Sequence, residues 1–399
     1  MDVLTNVVRP YAWGSRTAIA ELLGQPSPSP EPQAELWMGA HPSAPSRVIR
    51  QGRELGLDAC ILEDPERALG PASLAAFGPT LPFLLKVLAA GAPLSLQAHP
   101  SLAQAREGFD LEEARGIPLD APTRNYRDRN HKPELICALT PFWALCGFRD
   151  VKATLSLFHA LAAPSLSPLA ALLEGAKDPS PGLRATLEAL FEHQDKEGLV
   201  ADTLEGAGRL VRAGGPFEGE ASWALRLGQA YPGDVGVVVA LLLNLVRLAP
   251  GEALFLGAGN LHAYLEGTGI ELMASSDNVL RGGLTVKHVD VPGLLSLLDF
   301  RAGPASLAPR LALPSGEILY ATPAREFLLS RLRLSGKASV SPSKGPEIVL
   351  CTGGGAELSQ GASSGRVTRG QALFLPASGS PIELRGDATL YRARVSLGR

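Results

Sequence analysis

Gln97 and His99 stand two residues apart in SLQAHP, Glu134 closes NHKPE, and His262 sits in GNLHAY. Residues two apart on an extended strand share a face, so Gln97 and His99 point the same way. Two imidazoles, a carboxylate and an amide oxygen suit a divalent transition metal, and zinc best, because nitrogen and oxygen ligands both suit that ion. A neutral amide in place of a thiolate or second carboxylate leaves the ion with net positive charge. It then remains a Lewis acid able to polarise a substrate oxygen. Of the seven histidines, His159 and His193 fall in stretches with helical spacing, where surface or packing roles are expected.

These residues need a scaffold that brings distant segments together. Segments 81–100 and 250–300 are rich in Gly, Pro and short apolar runs and read as strands joined by tight turns. Between them, from about Val151 to Leu227, apolar residues recur at helical spacing: Val151, Leu155 and Phe158, then Leu183, Leu187, Leu190 and Phe191. The breaks at APSLSP and DPSPG predict several short helices instead of one long one. Near the end Tyr391, Ala393, Val395 and Leu397 alternate with Arg392, Arg394 and Ser396, which predicts a strand with the two sets on opposite faces.

The segment GEALFLGAGNLHAYLEG from Gly251 aligns without gaps to GQALFLPASGSPIELRG from Gly370, with eight of seventeen positions identical. Strand, turn and strand are expected in both. Pro381 stands where the first copy has His262, so the chemistry belongs to the first copy and the second reads as a structural β-domain.

Bulk properties narrow the class. At 399 residues the chain is long enough for two or three domains. A net charge of −3 and no long run of Lys or Arg leave out the electrostatic footprint of a nucleic-acid binder. Cys60, Cys137, Cys146 and Cys351 form no CxxC pair, which fits reduced thiols in cytosol. The start of the chain lacks the pattern of a signal peptide. The most apolar stretch, Val235 to Leu243, is followed by Asn244 and Arg247 and is too short to span a bilayer. A soluble cytoplasmic protein with no membrane partner is expected.

Five motifs carry a family resemblance: YAWGS at Tyr11, ELWMGAHPSAPS at Glu35, LPFLLKVLAAGAPLSLQAHP at Leu81, NYRDRNHKPELICALTPFWALCGFR at Asn125, and GNLHAYLEGTGIELMASSDNVLRGGLT at Gly259. In order and in length they resemble the type I phosphomannose isomerases of the cupin superfamily. The match runs from residue 11 to about 300 and is weaker beyond.

The resemblance implies a mainly β fold with inserted α structure. A discontinuous cupin-like β-barrel (jelly-roll) catalytic domain would take residues 1–149 plus 232–320, a helical insertion 150–231, and a second cupin-like β-domain 321–399. It implies interconversion of mannose 6-phosphate and fructose 6-phosphate, in mannose metabolism or GDP-mannose biosynthesis, by a monomer with one zinc ion per chain. The family's metal ligands fall on Gln97, His99, Glu134 and His262, and its catalytic arginine on Arg281. Bifunctional relatives carry a nucleotidyltransferase domain ahead of the isomerase. None is present in this sequence, so a single activity is expected.

Aldose–ketose isomerisation moves a proton between C2 and C1 through an enediol and needs a base and positive charge near the oxyanion. Glu271 and Lys132 are both candidate bases, with His131 a possible aid to ring opening. Glu271 has the alternative of a structural ion pair with Arg281 or Lys287. For the substrate phosphate Arg281, Lys287, Lys86 and Ser95 lie in matching motifs, although Lys86 in its apolar run has the alternative of snorkelling from a strand end. Trp13 and Tyr264 are candidates to line the sugar pocket or, as aromatics often do, to fill core. Two other readings stand beside the isomerase. His99, Glu134 and His262 alone make the ligand set of a non-haem iron oxygenase, against which Gln97 counts as a fourth ligand. A non-catalytic sugar-phosphate-binding cupin would keep the metal and lose turnover, against which Arg281, Lys132 and Glu271 together count.

Overall fold

Strands covered on both faces lose the apolar–polar alternation, and ELWMG (Glu35–Gly39) and FLLKVLAA (Phe83–Ala90) are buried at every position. The computed structural model, which describes residues 1–397, is mainly β with several helices. Its strands form a 10-stranded sheet, an 8-stranded sheet and a two-stranded pair. Among the described residues neither large sheet closes into the barrel that the resemblance implies. The edge strands of the larger one, Val7–Arg9 and Leu243–Leu248, do not pair with each other.

One strand organises the larger sheet. His262–Ala274 pairs at its start with Gln97 and with Phe142–Phe148, then with Phe83–Ala90 on one side and Glu134–Ala138 on the other. The change of partners falls at a register break between Tyr264 and Glu266, followed by Gly267 at φ +125°. A Cβ on Gly267 would lie 2.6 Å from the Pro141 carbonyl oxygen, so the close approach requires glycine.

Alternation then sorts the side chains. Leu36, Met38, Leu85, Val87, Leu135, Cys137, Ile270 and Leu272 join Ile348, Leu350, Tyr391 and Ala393 of the other sheet in one core. Glu35, Trp37, Lys86, Glu134 and Glu271, at the alternate positions, take the opposite face.

Six helices lie between Val151 and Leu241: Val151–Leu161, Ser167–Glu174, Pro179–Glu192, Lys196–Ala213, Glu218–Ala230 and Gly236–Leu241. Helical structure thus runs past Leu227, and the apolar stretch at Val235 is its buried end. These helices share one core with Ala98, Leu145 and Leu265 of the larger sheet and with Leu96 and Leu261 just before its strands, so they brace the strands that carry the candidate ligands. His159 is exposed, 3.8 Å from Glu174, and His193 ends Pro179–Glu192. No helix among the described residues is long and apolar enough to cross a membrane.

The two copies of the internal repeat fold alike. Ala253–Leu256 and Ala372–Leu375 are both strands, followed by His262–Ala274 and Ile382–Arg394, each 13 residues long. Asp2–Leu4 adds to the smaller sheet by pairing with Ala372–Leu375, and Arg310–Ala312 and Glu317–Tyr320 belong there too.

The tail places Tyr391, Ala393 and Val395 in the core as their spacing predicts, with Leu397 partly buried against it. Arg392 alternates with these residues and is itself buried. Its guanidinium is 1% exposed because Glu317 and Glu347 meet it at 2.6 and 2.8 Å.

Burial alone would raise the Glu317 carboxyl, but Arg392 and then Arg394 outweigh it and hold it below its ordinary value. As pH falls below the ordinary glutamate range, about 4.3, the unfolded chain binds more protons than the folded one. The stability that Glu317 supplies is therefore present above that range and lost as pH drops through the depressed folded value. Urea unfolding followed from about pH 6 to about pH 3 should show this loss, with a flatter acid dependence in Glu317→Gln. Arg392→Met, which strands two buried carboxylates, should cost about 3–5 kcal/mol at neutral pH. Equal acid slopes in wild type and Glu317→Gln would refute the assignment.

Candidate metal centre

His99 follows the short strand Gln97–Ala98, Glu134 opens Glu134–Ala138, and His262 opens His262–Ala274. Glu134 pairs with Met273 of the same long strand whose first residue is His262. One ligand atom from each of His99, Glu134 and His262 lies within 4.8 Å of the others, and all three residues are buried.

The tautomers follow from the backbone. His99 Nδ1–H donates to the Asn278 carbonyl at 2.7 Å, and His262 Nδ1–H donates to the Asn260 carbonyl at 2.9 Å. A carbonyl accepts only, so the proton of each neutral ring sits on Nδ1 and each Nε2 keeps its lone pair. Both Nε2 atoms are buried with no hydrogen-bond partner among the described residues. The Glu134 oxygens stand 3.2 and 3.7 Å from them. Two bare nitrogens aimed at a carboxylate inside the protein are an arrangement that a cation completes.

Electrostatics agree. Burial, then the Lys132 ammonium, pushes the His99 imidazole down to about 4, keeping it neutral as a ligand must be. Burial would raise the Glu134 carboxyl, but the Lys132 ammonium holds it well below the usual range. Lys132 Nζ lies 2.8 Å from Glu134 Oε1, and the Tyr264 hydroxyl donates to Oε2 at 3.4 Å.

Gln97 and Arg281 join through the backbone. Gln97 is flanked in register by His262 on one side and Arg281 on the other. Directly opposed residues in antiparallel strands share a face, which sets the Gln97 amide and the Arg281 guanidinium on the His262 side.

Lys86 and Glu271 form a buried pair, with Nζ 2.8 Å from Oε2. Lys86 therefore does not snorkel, and the ion-pair partner of Glu271 is Lys86, not Arg281 or Lys287. Glu271 opposes Ile136, so it stands diagonally across from Glu134 at about 7 Å between strands. Burial raises the Glu271 carboxyl, Lys86 opposes this, and Glu134 and Glu35 reinforce it.

Arg281 and Lys287 face like charge. Burial and Arg127 lower Arg281, while burial, Arg281 and Arg127 lower Lys287. Three cations with mutual repulsion are suited to a dianion. His131 is tied to Glu326 at 2.8 Å, and Ser95 is half-buried just before Gln97. Tyr264 is buried with its ring edge-on to Phe142. Trp13 stacks on Tyr11 and packs on the apolar cluster around Ala90 and Leu94. A cleft of about 810 Å³ between the two sheets, lined by Thr268, Arg331 and Tyr391 among others, reaches Ala138, the far end of the strand that Glu134 opens.

Four contributors escape a reading of ligand types alone. The Asn278 side chain accepts from Arg127 N at 2.6 Å and donates to the carbonyls of Asp128 and Asn130, each at 2.8 Å, fixing the loop ahead of Lys132 while its own carbonyl orients His99. Arg127 completes the cation group. Glu35 and Trp37 lie beside Lys86. All four fall in quoted motifs, and that was their signal.

Comparison with known proteins places these residues in context. A family model, phosphomannose isomerase type I, catalytic domain, matches residues 1–151. Mannose-6-phosphate isomerase of Escherichia coli (strain K12) is 40% identical over 395 residues, covering 98% of this chain and 99% of that protein. Mannose-6-phosphate isomerase 2 of Arabidopsis thaliana is 34% identical over 420 residues, covering 98% and 92%. A crystal structure of a mutant phosphomannose isomerase from Salmonella typhimurium superposes with a TM-score of 0.91 at 36% identity over 99% of both chains. A zinc-bound mannose 6-phosphate isomerase superposes with a TM-score of 0.89 at 36% identity over 99% of both chains.

Metal-free protein titrated with Co²⁺ should develop visible d–d absorption that saturates at one equivalent. His99→Ala and His262→Ala should each weaken that binding by at least about 100-fold, beyond what loss of an outer-shell partner costs. Undiminished binding in both variants would place the metal elsewhere.

Proposed function

The chain belongs to the type I family of mannose-6-phosphate isomerases and is an aldose–ketose isomerase of that kind; from that premise we propose a zinc-dependent interconversion of mannose 6-phosphate and fructose 6-phosphate through an enediol. The observation that carries the proposal is the pair of buried, bare Nε2 atoms of His99 and His262 aimed at Glu134. With the Gln97 amide on the same side, the donor set is the nitrogen and oxygen set that zinc favours. When bound, zinc supplies Lewis acidity toward a substrate oxygen.

The rest of the chemistry is assigned to side chains. Glu271 takes the C2 proton of the aldose and returns it to C1. Burial raises its carboxyl toward the working range of a general base, and Lys86 orients it. Lys132, with its ammonium already bonded to Glu134, suits the role of a proton-bearing group at the substrate oxygens better than that of a base. Arg281 offsets the negative charge that develops on the enediol oxygens. Lys287, Arg127 and Ser95 with Arg281 hold the phosphate. His131, through its pair with Glu326, assists ring opening. Tyr264 and Trp13 back the sugar site through their packing.

In this reading the larger sheet is a cupin-like catalytic unit from 1–149 and 232–320, residues 150–231 are a helical insertion, and 321–399 form a second cupin-like unit. Gly398 and Arg399 lie outside the described residues. Asp2–Leu4, Arg310–Ala312 and Glu317–Tyr320 extend the sheet of that second unit. The enzyme acts as a cytoplasmic monomer on a small sugar phosphate.

A coupled assay of mannose 6-phosphate conversion should show turnover that a chelator abolishes and added zinc restores. Arg281→Ala should lower kcat/KM by about 100- to 1,000-fold with zinc content unchanged. Sugar-phosphate binding without turnover in folded, zinc-loaded protein would favour a binding module, and oxygen uptake on iron loading would favour an oxygenase.

A further inference from the structure

One buried charge has no part in the chemistry assigned so far. Glu35 is 7% exposed, on a strand next to the one that carries Lys86. In register Trp37 opposes Lys86, and Lys86 opposes Glu271, so these three form a row across three neighbouring strands. Glu35, two residues before Trp37, lies on the same face.

Both its oxygens are engaged. Oε2 accepts the Trp37 indole N–H at 2.7 Å, and Oε1 lies 3.5 Å from Lys86 Nζ. The ammonium therefore sits between two carboxylates, 2.8 Å from Glu271 and 3.5 Å from Glu35, and 5.1 Å from the Trp37 ring centroid.

One carboxylate would be enough to neutralise Lys86. A second leaves the row with a net negative charge inside the protein, which packing alone disfavours and a glutamine would avoid. The arrangement makes sense if the charge serves the neighbour. Resting on the reading of Glu271 as the base, we propose that Glu35 is a positioning residue for the isomerisation: through Trp37 and Lys86 it holds the ammonium at Glu271 and sets a second negative charge beside the base.

The titratable and charged groups around Glu271 are Lys86 and Glu35 from the two strands of the row, Glu134 and Lys132 from Glu134–Ala138 and the loop before it, and the neutral Tyr264 hydroxyl of its own strand. Lys86 and Lys132 favour the ionised carboxylate, whereas Glu35 and Glu134 disfavour it. Removing the Glu35 charge makes Glu271 easier to ionise and a weaker base.

The test compares zinc-loaded wild type with Glu35→Gln, which keeps the volume and an acceptor for Trp37. kcat for mannose 6-phosphate should fall by about tenfold or more with KM within about twofold, and the acid limb of the kcat–pH profile should move to lower pH. Glu35→Asp, which keeps the charge but shortens its reach, should lose kcat with the acid limb near its wild-type place, and it carries the test if Glu35→Gln does not fold. Lowered stability or zinc content with kcat per zinc and the acid limb unmoved in Glu35→Gln, or wild-type kcat in Glu35→Asp, would overturn the proposal. Glu271→Gln separates the two levels. If it removes the acid limb while Glu35→Gln leaves that limb unmoved, only the role of Glu35 fails. If it leaves the limb in place, the base assignment fails and the role of Glu35 with it.

Discussion

A carboxylate taken out of water has to be answered by positive charge, and Glu134 is 2% exposed. Much of the architecture around it follows from that need. Lys132 reaches it from the loop that precedes it, two imidazoles bring bare nitrogens, and Tyr264 brings a hydroxyl. With Glu35 and Glu271 behind, three carboxylates face only two ammoniums, those of Lys86 and Lys132. One negative charge is left over in a region that excludes water. A divalent cation turns this deficit into a surplus of one positive charge, ready for an anionic substrate.

The second copy of the repeat shows the alternative. Its long strand, Ile382–Arg394, also buries a charge, but Arg392 meets Glu317 and Glu347, and Arg394 stands 3.9 Å from Glu317. Two cations and two carboxylates close the balance within the protein. Nothing in that cluster calls for a ligand, and Pro381 stands where a histidine would be needed. The same strand–turn–strand unit thus supports a self-contained ion cluster in one copy and an open one in the other.

Much of this was legible in the sequence where the signal is local. The spacing of Gln97 and His99, the helical recurrence from Val151, and the repeated ALFL segments each mark an element that the structure contains. The illegible parts depend on partners far along the chain. The alternation separates Arg392 from the apolar set but does not show that Glu317 and Glu347 reach it from other strands. Lys86 sits in an apolar run as a misplaced charge until Glu35 and Glu271 arrive on either side. ELWMG lacks alternation because both its faces are covered. Leu102–Ala114 did carry a local signal, since Ser101 and Gln104 form a capping box.

The pairing of Asp2–Leu4 with Ala372–Leu375 bears on how the chain comes to be folded during synthesis. A strand early in this sequence is completed only by one far along it. Closing so large a loop is entropically slow, and until it closes the early strand is an open edge in the growing polypeptide. The smaller sheet also shares its core with Leu36, Leu85 and Leu272, so the underside of the strands that bear the metal site stays bare until then. A partly made chain can therefore form the strands that bear the metal site, but their underside is covered only when the distant strand arrives.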